Sequence, residues 1–108
     1  MSFSTTLKLI DDIIDILQKY EVTNWYKILS DNKTRLIMAI NSKSDHLILE
    51  QLTAIMDIYG GMGSFTDIFI CEQAGYEISP KDVHRVNRQF QKLSTKLYFS
   101  LKEEILKL

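Results

Sequence analysis

Apolar residues recur along this chain at intervals of three and four, the spacing of one face of a helix. Leu7, Ile10, Ile14 and Leu17 begin the pattern, and Ile13 and Ile16 widen it, so residues 4–20 are predicted as a first helix capped by Ser4 or Thr5. A second helix starts at Thr23 or Asn24 and runs through Trp25, Ile28 and Leu29. Ser30-Asp31-Asn32 predicts a break or kink there, because these side chains compete for backbone hydrogen bonds. Thr34 to Ile40 resumes as helix, with a buried strand over Leu36 to Ile40 as the alternative. After a loop at 41–44, Ser44 or Asp45 caps a third helix through Leu47, Ile48, Leu52, Ile55, Met56 and Tyr59.

The pattern then stops. Three of the four glycines fall in Tyr59-Gly60-Gly61-Met62-Gly63-Ser64-Phe65-Thr66-Asp67. Gly60 is placed to end the third helix in the left-handed conformation. Ser64 is placed to cap a short helix over Phe65 to Gln73, favoured by Phe65, Ile68 and Phe69 at i, i+3 and i+4. A turn follows at Gly75-Tyr76-Glu77-Ile78. Ser79-Pro80-Lys81-Asp82 is the best helix start in the chain, with a capping hydroxyl, proline at the first helical position and an acid two residues later. The helix after it is predicted to reach about residue 106.

The expectation is an all-α single domain spanning residues 1–108, with four or five helices and a long amphipathic C-terminal helix. A length of 108 residues and a hydrophobic content of 45% suffice for one buried core. No apolar run approaches the ~20 residues of a membrane span, and the start of the chain lacks the pattern of a signal peptide. The single Cys71 cannot form an internal disulfide, which fits a reducing cytoplasm.

Charge is balanced overall, at 13 basic and 14 acidic residues, but it is unevenly placed. Residues 80–108 carry seven basic and three acidic side chains, net +4, against net −5 for residues 1–79. On a helical wheel with Lys81 at 0°, Arg85, Arg88, Lys92 and Lys96 fall between about −20° and +60°. Val83, Val86, Phe90, Leu93, Leu97 and Leu101 fall opposite, between about 120° and 200°. Asp11, Asp12 and Asp15 form a second charged group, on the polar face of the first helix. Either group is a candidate surface for a partner of opposite charge.

Candidate chemistry is sparse. The glycine run has no Gly-Lys-Ser/Thr, so it is no Walker A loop, and no clear strand precedes it. It reads as a tight junction between helices, shaped by Gly60, Gly61, Gly63, Ser64 and Asp67, with Met62 or Phe65 in the core and Asp67 accepting from loop N–H groups. An anion-binding role for the Gly60 to Asp67 loop is the alternative. His46 and His84 have no ligand-spaced partner and read as surface residues, so no metal or cofactor is expected. Cys71 lacks an adjacent base and reads as structural, and Trp25 as a core anchor.

The nonapeptide from Tyr59 to Asp67 resembles the YGGMGSFND signature of a group of small bacterial helical proteins without an assigned activity. Trp25 and the segment from Val83 to Leu101 stand where that group has an upstream tryptophan and a downstream amphipathic helix. Thr66 replaces its usual asparagine. In size and helical make-up the chain also resembles immunity proteins, the cytoplasmic antidotes to contact-dependent or polymorphic toxins. With no catalytic constellation and with segregated charge, the expectation is a binding protein and not an enzyme. It would neutralise a cognate toxin domain, a nuclease by preference, by covering its active or substrate-binding site. Asp11, Asp12 and Asp15 would suit a basic cleft, and the basic stripe an acidic surface. Nucleic acid is a weaker partner, since the protein is not basic overall.

Overall fold

The computed structural model describes residues 3–60 and 64–108, and among these there is no strand. Four α-helices carry the architecture: α1 (Ser4–Lys19), α2 (Thr23–Ser42), α3 (Asp45–Met56) and α4 (Val83–Lys107). Each packs mainly on two others, in the ring α1–α2–α3–α4 and back to α1. At about 1.5 Å per residue α4 is roughly 37 Å long, and it spans most of the 45 Å long axis. The expected all-α fold with a long amphipathic C-terminal helix is therefore present.

One core joins all four helices. Ile10, Ile13 and Leu17 of α1 meet Leu29 and Leu36 of α2, Leu52 and Ile55 of α3, and Phe90, Leu97 and Leu101 of α4, all almost fully buried. The stripes at positions i, i+3 and i+4 thus face inward, as periodicity requires. Hydroxyls also join α1 to α4, through Thr6 Oγ1 and Ser100 Oγ at 2.6 Å. Ser44 caps α3 by accepting from the Leu47 N–H at 3.3 Å.

Four local expectations fail, each for a physical reason. No capping side chain starts α1: Phe3 holds the cap position, and its ring is buried in the core. The Ser30-Asp31-Asn32 break is absent and α2 is continuous, which also removes the strand alternative for 36–40. There the polar side chains bond back along the helix without ending it. Asn32 Nδ2 donates to the Ile28 carbonyl at 2.8 Å, and Thr34 Oγ1 to that of Ser30 at 3.1 Å.

The third failure is the short helix over 65–73. A 3₁₀ turn covers only Phe65–Asp67, residues 68–71 are extended, and a second 3₁₀ turn covers Glu72–Ala74. Asn87 of α4 is the cause. Its side chain accepts from the Ile70 N–H and donates to the Ile70 carbonyl, each at 2.8 Å, and also donates to the Val83 carbonyl at 2.8 Å. With its backbone groups held this way, Ile70 is clamped extended with its side chain fully buried, while Phe69 is turned outward. Fourth, the start of α4 is a 3₁₀ turn over Pro80–Asp82 that leads into the α-helix at Val83, and the Ser79 side chain makes no capping bond.

Candidate binding surface on the last helix

The glycine run sits between two aromatic anchors. α3 ends at Met56 with Asp57 as a right-handed cap, three residues before the expected Tyr59, so Gly60 does not end the helix as expected, although it does hold the left-handed conformation, at φ 89°. The Phe65 N–H donates to the Ile58 carbonyl at 3.2 Å and closes the loop at its base. Phe65 is fully buried and meets Tyr59, Trp25 and Phe90 with ring centroids 5.2–5.5 Å apart. Trp25 is half-buried and edges onto this cluster. Ser64 makes no capping bond; its hydroxyl pairs instead with that of Thr66 at 2.9 Å. Asp67 is exposed, and its backbone N–H donates to the Ser64 carbonyl at 3.0 Å. Gly61, Met62 and Gly63 lie outside the described residues.

Tyr59 ties this motif to α4. Its hydroxyl donates to the Ser94 carbonyl at 2.7 Å, and burial pushes its ionisation well above the ordinary tyrosine range. A mid-helix carbonyl keeps a second lone pair for such a donor, and the buried Ser94 turns its own hydroxyl back to the Phe90 carbonyl at 2.8 Å. The Tyr59 ring also meets the ring of Tyr98, which in turn meets Phe99.

The acidic group of α1 is largely engaged within the chain. Asp11 pairs with Lys33 of α2, and Asp12 pairs with Lys8 one turn earlier at 2.7 Å. The hydrogen bond and charge of Asp12 hold the Lys8 ammonium above the ordinary lysine range. Asp12 and Asp15 share a groove of about 390 Å³ with Arg85 and Tyr20, between α1 and α4. The two charged sets thus meet at this edge.

The basic stripe is differently placed. Lys81, Arg85, Arg88, Lys92 and Lys96 are all exposed. Arg85 contacts Asp82 at 3.4 Å, and Arg88 donates to His84 Nε2 at 2.9 Å. Among the described residues Lys81, Lys92 and Lys96 have no ion pair. Lys81 stands in the 3₁₀ turn, so the regular stripe begins at Arg85.

Phe99 is the surface residue that charge patterning overlooks. It falls at about 0° on the same wheel, in line with the cations, and is 60% exposed. It also walls a groove of about 450 Å³ whose other residues include Tyr59, Thr66, Phe90, Thr95 and Tyr98. An aromatic among lysines on the polar face of a helix was the signal available in the sequence. His46 and His84 are exposed and Cys71 is half-buried, as expected. No group of three His, Cys, Asp or Glu side chains suited to a metal ion occurs among the described residues, and no helix there is long and apolar enough to cross a membrane.

Fold and surface together define a small four-helix domain with an aromatic-walled groove beside a basic helix face. The chain belongs to a family described as a domain of unknown function, DUF6966, whose model matches residues 18–79. That segment contains α2, α3 and the glycine motif, and so supplies Tyr59 and Thr66 to the groove. No curated protein and no solved structure matches the chain.

Proposed function

We propose that this protein is a bacterial immunity protein, a binding protein that neutralises a cognate toxin domain through the basic face of α4. The observation that carries the reading is the exposed row Arg85, Arg88, Lys92 and Lys96 on one rigid 25-residue helix, with Phe99 in line. A row of exposed cations steers an oppositely charged partner, and an exposed aromatic beside it supplies an anchor. The acidic group of α1 is the weaker candidate, because Lys33 and Lys8 already neutralise two of its three carboxylates. A basic face does not mimic nucleic acid. If the toxin is a nuclease, the contact is an acidic surface beside its substrate cleft, and inhibition is steric.

The test is co-expression with the product of the neighbouring open reading frame. Rescue from that product's toxicity and a stable complex are expected. Both are expected to fail for the double variant Lys92→Glu/Lys96→Glu and to persist for Asp12→Asn/Asp15→Asn. Absence of any complex or rescue with the wild-type protein contradicts the proposal.

A further inference from the structure

We infer that the groove between Tyr59 and Phe99 is a socket for one apolar side chain, aromatic by preference, carried on an acidic segment of a protein partner. This rests on the protein-binding reading above and adds the chemistry of the contact.

The floor and the rim of the groove select the occupant. Tyr59, Phe90, Tyr98 and Phe99 give it aromatic walls over about 450 Å³, room for a large side chain. The polar groups at its base are already satisfied within the chain. The Tyr59 hydroxyl is bonded to the Ser94 carbonyl, the Ser94 hydroxyl to that of Phe90, and the Thr66 hydroxyl to Ser64. The hydroxyls facing the floor are thus already bonded within the chain and Gln91 and Thr95 are the polar groups left at the exposed rim, whereas an apolar group gains ring contacts and burial on the aromatic walls.

Charge fixes the rest of the occupant. Arg88, Lys92 and Lys96 are exposed on the face of α4 that also carries Phe99, the residue that walls the groove. Lys102, also exposed, lies three residues past Phe99 on the next turn of α4. A side chain entering the groove therefore arrives beside a row of cations, and its flanking residues are best acidic. Such an arrangement divides the contributions to binding: charge sets the rate of encounter, and the buried anchor sets the lifetime.

The probe is a short, blocked poly-glutamate peptide with one central phenylalanine, compared with the same peptide carrying alanine there. Binding is followed by amide chemical shifts of the isotope-labelled protein. The phenylalanine peptide is expected to shift the amides of Tyr59, Thr95 and Phe99 and to bind about tenfold more tightly than its alanine counterpart. Thr95→Trp, which fills the groove from its exposed rim, and Phe99→Ala, which removes a wall, are each expected to abolish that advantage. Lys96→Glu is expected to weaken both peptides alike.

Equal binding of the two peptides, an advantage that survives both groove variants, or shifts centred on Tyr20 and Arg85 would overturn the inference. So would an oligouridine that shifts the same amides at lower concentration, or shifts that follow protein concentration without peptide. Toxin rescue without peptide discrimination would reject the socket alone, and discrimination without rescue would reject the toxin alone.

Discussion

Asn87 and Tyr59 each hold a loop against α4 through a polar group reaching backbone. Removing Asn87 leaves the buried N–H and carbonyl of Ile70 without their partners, and such orphaned groups cost about 1–3 kcal/mol each. Asn87→Ala is therefore expected to lower unfolding stability by about 3 kcal/mol in urea titrations; a loss within error would deny the clamp. Tyr59→Phe removes one bond and is expected to cost about 1 kcal/mol at neutral pH. Its pH signature is sharper. The folded phenol ionises at a higher pH than the unfolded one, so the stability it confers is complete below about pH 10 and is lost as pH rises beyond that. Lys8, also raised, titrates in the same direction in the alkaline range. Tyr59→Phe is expected to flatten the alkaline fall in melting temperature, leaving the smaller part due to Lys8. An unchanged alkaline fall would mean that the phenol is not buried as described.

At the scale of elements, the long periodic segments were legible and the short ones were not. α1 and α4 repeat their apolar spacing over several turns, so burial of one stripe determines their faces. Residues 65–73 offered too short a run for periodicity to decide, and Phe65, Ile68 and Phe69 fit a helix until Asn87, distant in sequence, captured Ile70. No local pattern announces such a clamp. In α2, Ser30-Asp31-Asn32 read as a break because isolated propensity favours one, but Leu29, Asn32 and Leu36 are all buried on a single stripe and packing carries the helix through. Asp31 is exposed in mid-helix, where aspartate is a poor helix former. Asp31→Ala is thus expected to stabilise by up to ~0.6 kcal/mol and to raise the melting temperature slightly. A lower melting temperature would indicate that a break at this point has value. The candidate surface was half legible: the cations followed from spacing, whereas the groove required knowing that Tyr59, in the segment after α3, packs on Tyr98 of α4.

For the whole molecule, the segregation of charge matters more than its near-zero sum. Asp11 and Asp12 of α1 turn toward Lys33 and Lys8, while Lys92 and Lys96 are exposed and without an ion pair among the described residues. The molecule therefore offers an incoming partner one strongly signed surface, held rigid by the core beneath α4. The glycine motif shapes that surface indirectly. Its anchors Tyr59 and Phe65 lock the segment after α3 to α4, and Tyr59 forms one wall of the groove. The most direct test of this account is the association rate with the neighbouring-gene toxin as a function of ionic strength. For wild type the rate is expected to fall steeply with salt, and for Lys92→Glu/Lys96→Glu to be about tenfold slower at low salt and nearly flat thereafter. A rate indifferent to salt, or one altered by Asp12→Asn/Asp15→Asn and not by the lysine changes, would contradict it.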